Sequence, residues 1–427
     1  MADQTHKGLR NQTIYSVFVR NHTPEGTFQG VRRDLPRIRD LGADIVWLMP
    51  IHPIGEKARK GTLGSPYAIR DYRAVNPEFG TLEDFQQLVE DIHALGMKCI
   101  IDVVYNHTSP DSVLAGEHPE WFYHKADGSF GNRVGDWSDI IDLDYGQRAL
   151  WDYQIETLKY WASMVDGFRC DVAPLVPLDF WKTARRQVEE VRPGCIWLAE
   201  TVEPSFITFL RRAGYDCLSD SQAYEAFDIC YDYDIYHTFR DCLEGKLPLE
   251  QYAQALNRQE TTYPGNYVKL RCLENHDQLR AAFLLPDQGA LLNWTAFLFF
   301  LKGTALIYGG QEAGCTHLPS LFDRDPVDWS GPDRSELFRR LCAFKKNPLL
   351  TDSVFQVRAL PHGVLYGTHF SGQRRLVGVF STRGTQELVS VDVPDGIYTD
   401  LFSGGNVEVK HGKLSCQGRP VAVETAE

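Results

Sequence analysis

Asp166-Gly167-Phe168-Arg169-Cys170-Asp171 is a short run, apolar at its centre and closed by an Arg and an Asp one residue apart. Residues two apart on a strand share a face, so this spacing sets the Arg169 guanidinium beside the Asp171 carboxylate, where it holds the acid ionised and aimed. The C-terminal end of a buried parallel strand is where a barrel carries its chemistry. Two more acids close similar segments: Glu200 ends Ile196-Trp197-Leu198-Ala199-Glu200, and Asp277 follows Leu273-Glu274-Asn275-His276. Three carboxylates so placed point to glycosidic chemistry.

Outward from that run, short segments rich in Val, Ile, Tyr and Phe alternate with longer segments of helical period, the pattern of parallel strands joined by crossover helices. The strands are expected at residues 14–19, 44–49, 98–104, 167–171, 196–200, 216–219, 268–273 and 304–308. An amphipathic helix over 82–95 begins at the capping residue Thr81 and stops at Gly96. Eight such strands close a (β/α)8 TIM barrel. Residues 108–141 carry Pro110, Gly116, Pro119, Gly128, Gly131 and Gly135 and are too long for an ordinary barrel loop, so they read as an inserted subdomain. The barrel accordingly takes residues 1–107 and 142–346, ending in a helix over 335–346. From 347 to 427 short alternating strands broken by Gly, Pro and Asp-Gly turns predict a C-terminal antiparallel β-sandwich.

The balance of 57 Asp and Glu against 44 Lys and Arg gives a net charge of −13, which repels polyanions and argues against a nucleic-acid partner. The most membrane-like stretch, 291–308, is interrupted by Asn293, Lys302 and Gly303, so it reads as a buried helix followed by a strand rather than a membrane span. The polar start Met1-Ala2-Asp3-Gln4-Thr5-His6 lacks the apolar core of a secretory signal, and the expected location is cytoplasmic. Ten cysteines lie scattered without metal-type spacing, several inside apolar runs, and are expected to be reduced.

Cleavage of a glycosidic bond with retention needs one carboxylate as nucleophile and one carboxylic acid to protonate the leaving oxygen. Asp171 is expected to be the nucleophile, its pKa depressed by Arg169. Glu200, following a strand with Trp197, is expected to be buried near an ionised Asp171; both effects raise its pKa and suit a general acid/base. Asp277 is placed to clamp sugar hydroxyls.

Asp102-Val103-Val104-Tyr105-Asn106-His107, Gly167-Phe168-Arg169-Cys170-Asp171, Glu200 after its strand, and Asn275-His276-Asp277 resemble, in order and spacing, the four sequence blocks of the alpha-amylase family, glycoside hydrolase family 13. Flanking runs at 42–50, 67–72 and 303–312 extend the likeness over roughly residues 10–345. The resemblance implies Asp171 as nucleophile, Glu200 as acid/base and Asp277 as the third acid that binds and distorts the sugar. It further implies that His107 and His276 hydrogen-bond that sugar, that Arg169 orients the nucleophile with Asp102 bracing it, and that Tyr67 is the platform on which the sugar stacks. Asn106 matches a position that supplies a structural calcium ligand in many members; the alternative is a hydrogen bond that holds the third loop.

Two departures stand out. Many members carry a Lys-His pair shortly after the nucleophile, where this chain has Val172-Ala173-Pro174-Leu175, and Ile141-Asp142-Leu143-Asp144-Tyr145 differs from the family forms that separate specificities. The expected activity is retaining hydrolysis of α-1,4-glucosidic bonds in maltooligosaccharides, starch or glycogen fragments through a glucosyl ester on Asp171, with no cofactor in the chemistry. Alternatives are a transglycosylase or isomerase of the same family, such as a 4-α-glucanotransferase or a sucrose- or trehalose-processing enzyme, or a glucosidase acting on α-1,6 bonds. A silent binding protein that keeps the barrel is disfavoured because all three acids are present.

Overall fold

Eight parallel strands close on themselves in chain order: β1 (Thr13–Val17), β2 (Ile45–Leu48), β3 (Lys98–Val103), β4 (Gly167–Cys170), β5 (Ile196–Ala199), β6 (Ile229–Tyr231), β7 (Val268–Arg271) and β8 (Thr304–Tyr308), which returns to β1. This computed structural model describes residues 4–135 and 137–426; the start Met1-Ala2-Asp3 lies outside the described residues. Every barrel-strand residue except Lys98 is buried. Helices cover the outside and side chains fill the inside, which is why these segments read as apolar runs rather than alternating ones.

The sixth strand is not where the sequence pattern put it. Residues 216–218 form a loop, and Ser219 caps the helix Asp220–Ala223 in a reciprocal box with Gln222. The true β6 is only three residues long and pairs with β5 and β7. A four-residue apolar reading favoured the wrong segment because so short a strand carries almost no periodicity.

The helix Leu82–Ala94 follows its signals: Thr81 and Asp84 form a capping box, and Phe85, Leu88, Val89 and Ile92 face inward at helical spacing. After β3 the inserted segment is tied at its base by an antiparallel pair, His107–Thr108 against Ile141–Asp142, in which His107 faces Asp142.

The C-terminal region forms two four-stranded antiparallel sheets. Val364, Tyr366 and Val379 of one sheet share a core with Val389, Val409 and Leu414 of the other. The helix Gln288–Phe300 is wedged between barrel and sheet, apolar all round, and the polar residues that interrupt its stretch tie the parts together. Asn293 donates to the Gly418 carbonyl at 2.9 Å and accepts from the Ser381 N–H at 2.8 Å, while Lys302 donates to the Ser353 carbonyl at 3.0 Å. Among the described residues no helix is long and apolar enough to cross a membrane. All ten cysteines are free thiols.

Candidate active site

The barrel delivers its acids one residue beyond the strand ends while keeping them on the hydrogen-bond ladder. Asp171 donates its N–H to the Val103 carbonyl at 2.9 Å, and Glu200 to the Cys170 carbonyl at 3.0 Å, so both backbones are fixed before their side chains act. Asp277 follows β7 in an Asx turn, its N–H donating to Asn275 Oδ1 at 2.9 Å.

Arg169 joins the group. It is fully buried, and its Nη1 donates to Asp102 Oδ1 and Oδ2 at 2.9 and 3.1 Å and to Asp171 Oδ1 at 2.8 Å. Its Nη2 lies 3.0 Å from Glu200 Oε2 as a close ion pair whose angle is not that of a hydrogen bond. Its Nε donates to the Tyr231 hydroxyl at 3.3 Å. One cation therefore faces three carboxylates, and burial acts on all of them.

Burial is the largest influence on Asp171 and raises it to about 6, outweighing the Arg169 charge that pulls the other way. The expected depression of Asp171 is thus overturned, because two neighbours in sequence reveal the cation but not the missing water. Burial also raises Glu200, to about 8, opposed by Arg169 and reinforced by the charges of Asp171 and Asp277. The order needed for acid/base work survives: at neutral pH Asp171 is ionised and Glu200 protonated. Burial works against ionisation of Asp277 too, but His276 holds its carboxyl below the ordinary range.

The predicted residues Tyr67, His107 and His276 come to the same place. His276 Nε2 is 3.0 Å from Asp277 Oδ2 and 2.7 Å from the Tyr67 hydroxyl, which also donates to Asp102 at 3.2 Å. The Tyr67 and His276 rings stack with centroids 5.5 Å apart. His107 Nε2 is 4.0 Å from Asp171 Oδ2, and burial lowers its pKa to about 4, so it is neutral at working pH. Sequence reasoning missed Tyr231 and Tyr233, which sit on and after β6; Tyr233 accepts from Asn275 Nδ2 at 2.9 Å. Correct placement of β6 would have found them. The half-buried ring of Trp137, in the inserted segment, packs on the cluster of Val134, Val202, Leu210 and Cys217 and lies 5.7 Å from His107.

The chain is similar to known proteins over both the barrel and the C-terminal sheets. The model for the alpha amylase catalytic domain matches residues 3–129 and 115–330, and that for the bacterial alpha amylase C-terminal domain matches 356–423. The chain belongs to the alpha-amylase family. The crystal structure of an alpha-amylase from Lactobacillus plantarum is 50% identical over 99% of this chain and 100% of that one, with a TM-score of 0.96. A noncanonic maltogenic alpha-amylase from Thermotoga neapolitana is 35% identical over 98% of this chain and 100% of that one, with a TM-score of 0.86. Among curated proteins, an alpha-1,4-glucan:maltose-1-phosphate maltosyltransferase from Myxococcus xanthus is 34% identical over 47% of this chain. This chain spans 34% of that relative and 60% of a Streptomyces coelicolor maltosyltransferase with which it shares 31% identity over 89% of its own length.

The calcium that many alpha-amylase family members hold does not fit the donors around Asn106. The Asn106 side chain is turned as a donor, its Nδ2 3.1 Å from His107 Nδ1 and 3.5 Å from Asp142 Oδ1. The other Asp142 oxygen accepts from the Arg133 N–H at 2.8 Å and lies 3.4 Å from the Arg133 guanidinium, which also reaches the Leu143 carbonyl at 3.3 Å. A resident guanidinium thus supplies the positive charge there. Among the described residues no group of three or more His, Cys, Asp or Glu is arranged to hold a metal. The Asn106 backbone carbonyl accepts from the Leu143 N–H at 2.9 Å, which ties the third loop to the far end of the inserted segment.

Proposed function

We propose that this chain is a retaining α-glucan hydrolase that cleaves α-1,4-glucosidic bonds of maltooligosaccharides or of starch and glycogen fragments. The observation that carries the reading is that the two terminal nitrogens of Arg169 reach Asp171 at 2.8 Å and Glu200 at 3.0 Å. A pair spanned by one guanidinium suits the separation of about 5–5.5 Å used in double displacement better than the wider gap that inversion needs for a water. In the first step Asp171 attacks the anomeric carbon while Glu200 gives its proton to the leaving oxygen. Water, deprotonated by Glu200, then attacks the same carbon and releases Asp171. Tyr67, His107, His276 and Asp277 hold the sugar, and Arg169 keeps the nucleophile's rotamer.

Maltosyl transfer, the activity in the printed names of the Myxococcus xanthus and Streptomyces coelicolor relatives, is the second reading. Transfer to phosphate is the less supported, because the cations Lys60 and Arg133 are already paired with Asp139 and Asp142. The ten free thiols support a reducing, cytoplasmic setting. The test is a time course on defined maltooligosaccharides with the first product read by NMR. The α anomer is expected, and Asp171→Asn should lower turnover by more than about a thousandfold. A β-anomeric first product, or an active Asp171→Asn, defeats the proposal.

A further inference from the structure

One buried ammonium takes no part in the double displacement. Lys269, on β7, has no exposure, and its Nζ donates to Asp220 Oδ2, to Asp234 Oδ1 at 2.8 Å and to the Tyr231 carbonyl at 3.1 Å. The rings of Tyr263 and Tyr224 lie 4.5 and 5.9 Å from it. Taking an ammonium and its carboxylates out of water costs free energy that pairing returns only in part, and well-packed apolar side chains of similar volume commonly serve stability as well. The group calls for a reason other than stability.

That reason lies in how short β6 is. Its ladder to β5 ends with Ala199 opposite Cys230, so no strand pairing on that side reaches the level of Glu200. Side chains take over there. Thr201, next to Glu200 and without exposure, donates its hydroxyl to the same Tyr231 carbonyl at 3.1 Å and lies 3.4 Å from Asp220 Oδ2. Beyond the strand, Asp234 is also held by Gln259 Nε2 at 3.0 Å and by the Tyr263 hydroxyl at 2.8 Å. The exit of β6 is thus pinned by one cation and the two acids that share it.

What β6 carries at that point is Tyr231. Its hydroxyl accepts from Arg169 Nε at 3.3 Å, and its ring lies 5.4 Å from the guanidinium carbon. Fixing the carbonyl fixes the reach of the side chain. We propose that Lys269 is a positioning residue for the acid pair: it pins the Tyr231 carbonyl, seats the Tyr231 hydroxyl on Arg169 Nε, and so keeps the two ends of the guanidinium on Asp171 and Glu200. This rests on the proposed function and deepens it. The guanidinium is a rigid planar fork. With Nε released it follows the bonds that Nη1 makes to Asp102 and Asp171, and Nη2 withdraws from Glu200. Burial raises Glu200 and the Arg169 charge opposes it, so a withdrawn guanidinium lets Glu200 rise further.

The test measures kcat and KM of the full chain on defined maltooligosaccharides across pH, with urea denaturation beside it. Lys269→Met combined with Asp220→Asn removes the cation with one of its acids and leaves Asp234 its bonds from Gln259 and Tyr263. In this pair kcat is expected to fall about tenfold with KM changed less than about twofold, and the basic limb of kcat/KM to move up by about half a pH unit. Tyr231→Phe should give the same shift, and adding it to the pair should give no more, because both act through one hydroxyl. Where the pair does not fold, Thr201→Val, which removes the second bond to that carbonyl, should move the limb less and in the same direction, and Thr201→Ser should not move it. A lysine that only stabilises the fold would lower the urea midpoint and leave the limb in place. A basic limb at or below the wild-type pH in the folded Lys269, Tyr231 or Thr201→Val variants, or shifts that add, overturns the positioning role and leaves the hydrolase reading standing. No turnover by wild type overturns both.

Discussion

Arg169 and Asp102 face one another across β3 and β4 as register partners, both without exposure, with Nη1 2.9 Å from Oδ1. Asp102 therefore shares the cation on which Asp171 depends, and its charge is one of the influences that raise Asp171 after burial has done most of the work. Asp102→Asn removes that charge and leaves more of Arg169 to Asp171. The acid limb of kcat/KM against pH is expected to move to lower pH in this variant, with kcat reduced because Arg169 is less firmly braced. A limb that stays in place or moves up would show that Asp102 does not act on Asp171 electrostatically.

The wild-type profile follows from the same group. Asp171 must be ionised, so the rate should rise as pH passes up through about 6, and Glu200 must keep its proton, so the rate should fall above about 8. The two values belong to an interacting pair and are read as the limbs of one bell. Measurement of kcat/KM on maltotriose from pH 4 to 10 checks this. A rate that keeps rising beyond pH 9 would remove Glu200 as the acid.

Much of this site was legible before any coordinates, and the reason is local. β4 and β5 are apolar runs that stop at an acid, and the ladder continues through Asp171 and Glu200, so position along the strand already decided where those side chains go. The three-residue β6 carried no such pattern, and with it Tyr231 was lost. The Arg169–Asp171 adjacency was visible, whereas the burial that reverses the Asp171 shift depends on what eight strands enclose together. Trp137 could have been core or surface, and only its contacts with His107 and Phe206 decide.

Arg133 gives a prediction about metals. Its guanidinium, 21% exposed, stands 3.4 Å from Asp142 and binds the Leu143 carbonyl at the base of the inserted segment. Chelation with EDTA is expected to leave both the Tm and the turnover of maltooligosaccharides unchanged. Arg133→Met, which keeps the bulk but strands Asp142, should cost about 1–3 kcal/mol of stability. A drop in Tm on chelation, restored by calcium, would return Asn106 and Asp142 to a metal site.

The join between barrel and C-terminal sheets rests on two glycines paired across strands Val364–Ser371 and Arg374–Ser381, Gly367 opposite Gly378. A Cβ at Gly367 would lie 2.5 Å from Phe300, and one at Gly378 would lie 2.7 Å from Phe300 and 2.6 Å from Phe380. The Phe300 ring, at the end of the wedged helix, is accommodated only because both side chains are missing. Gly378→Ala is expected to cost about 1–3 kcal/mol by overpacking. Phe300→Leu, itself destabilising through a lost ring, should relieve part of that clash, so the double variant is more stable than the sum of the single costs predicts. Urea denaturation of the four proteins measures the coupling, and additive losses would mean that Phe300 does not occupy the glycine gap.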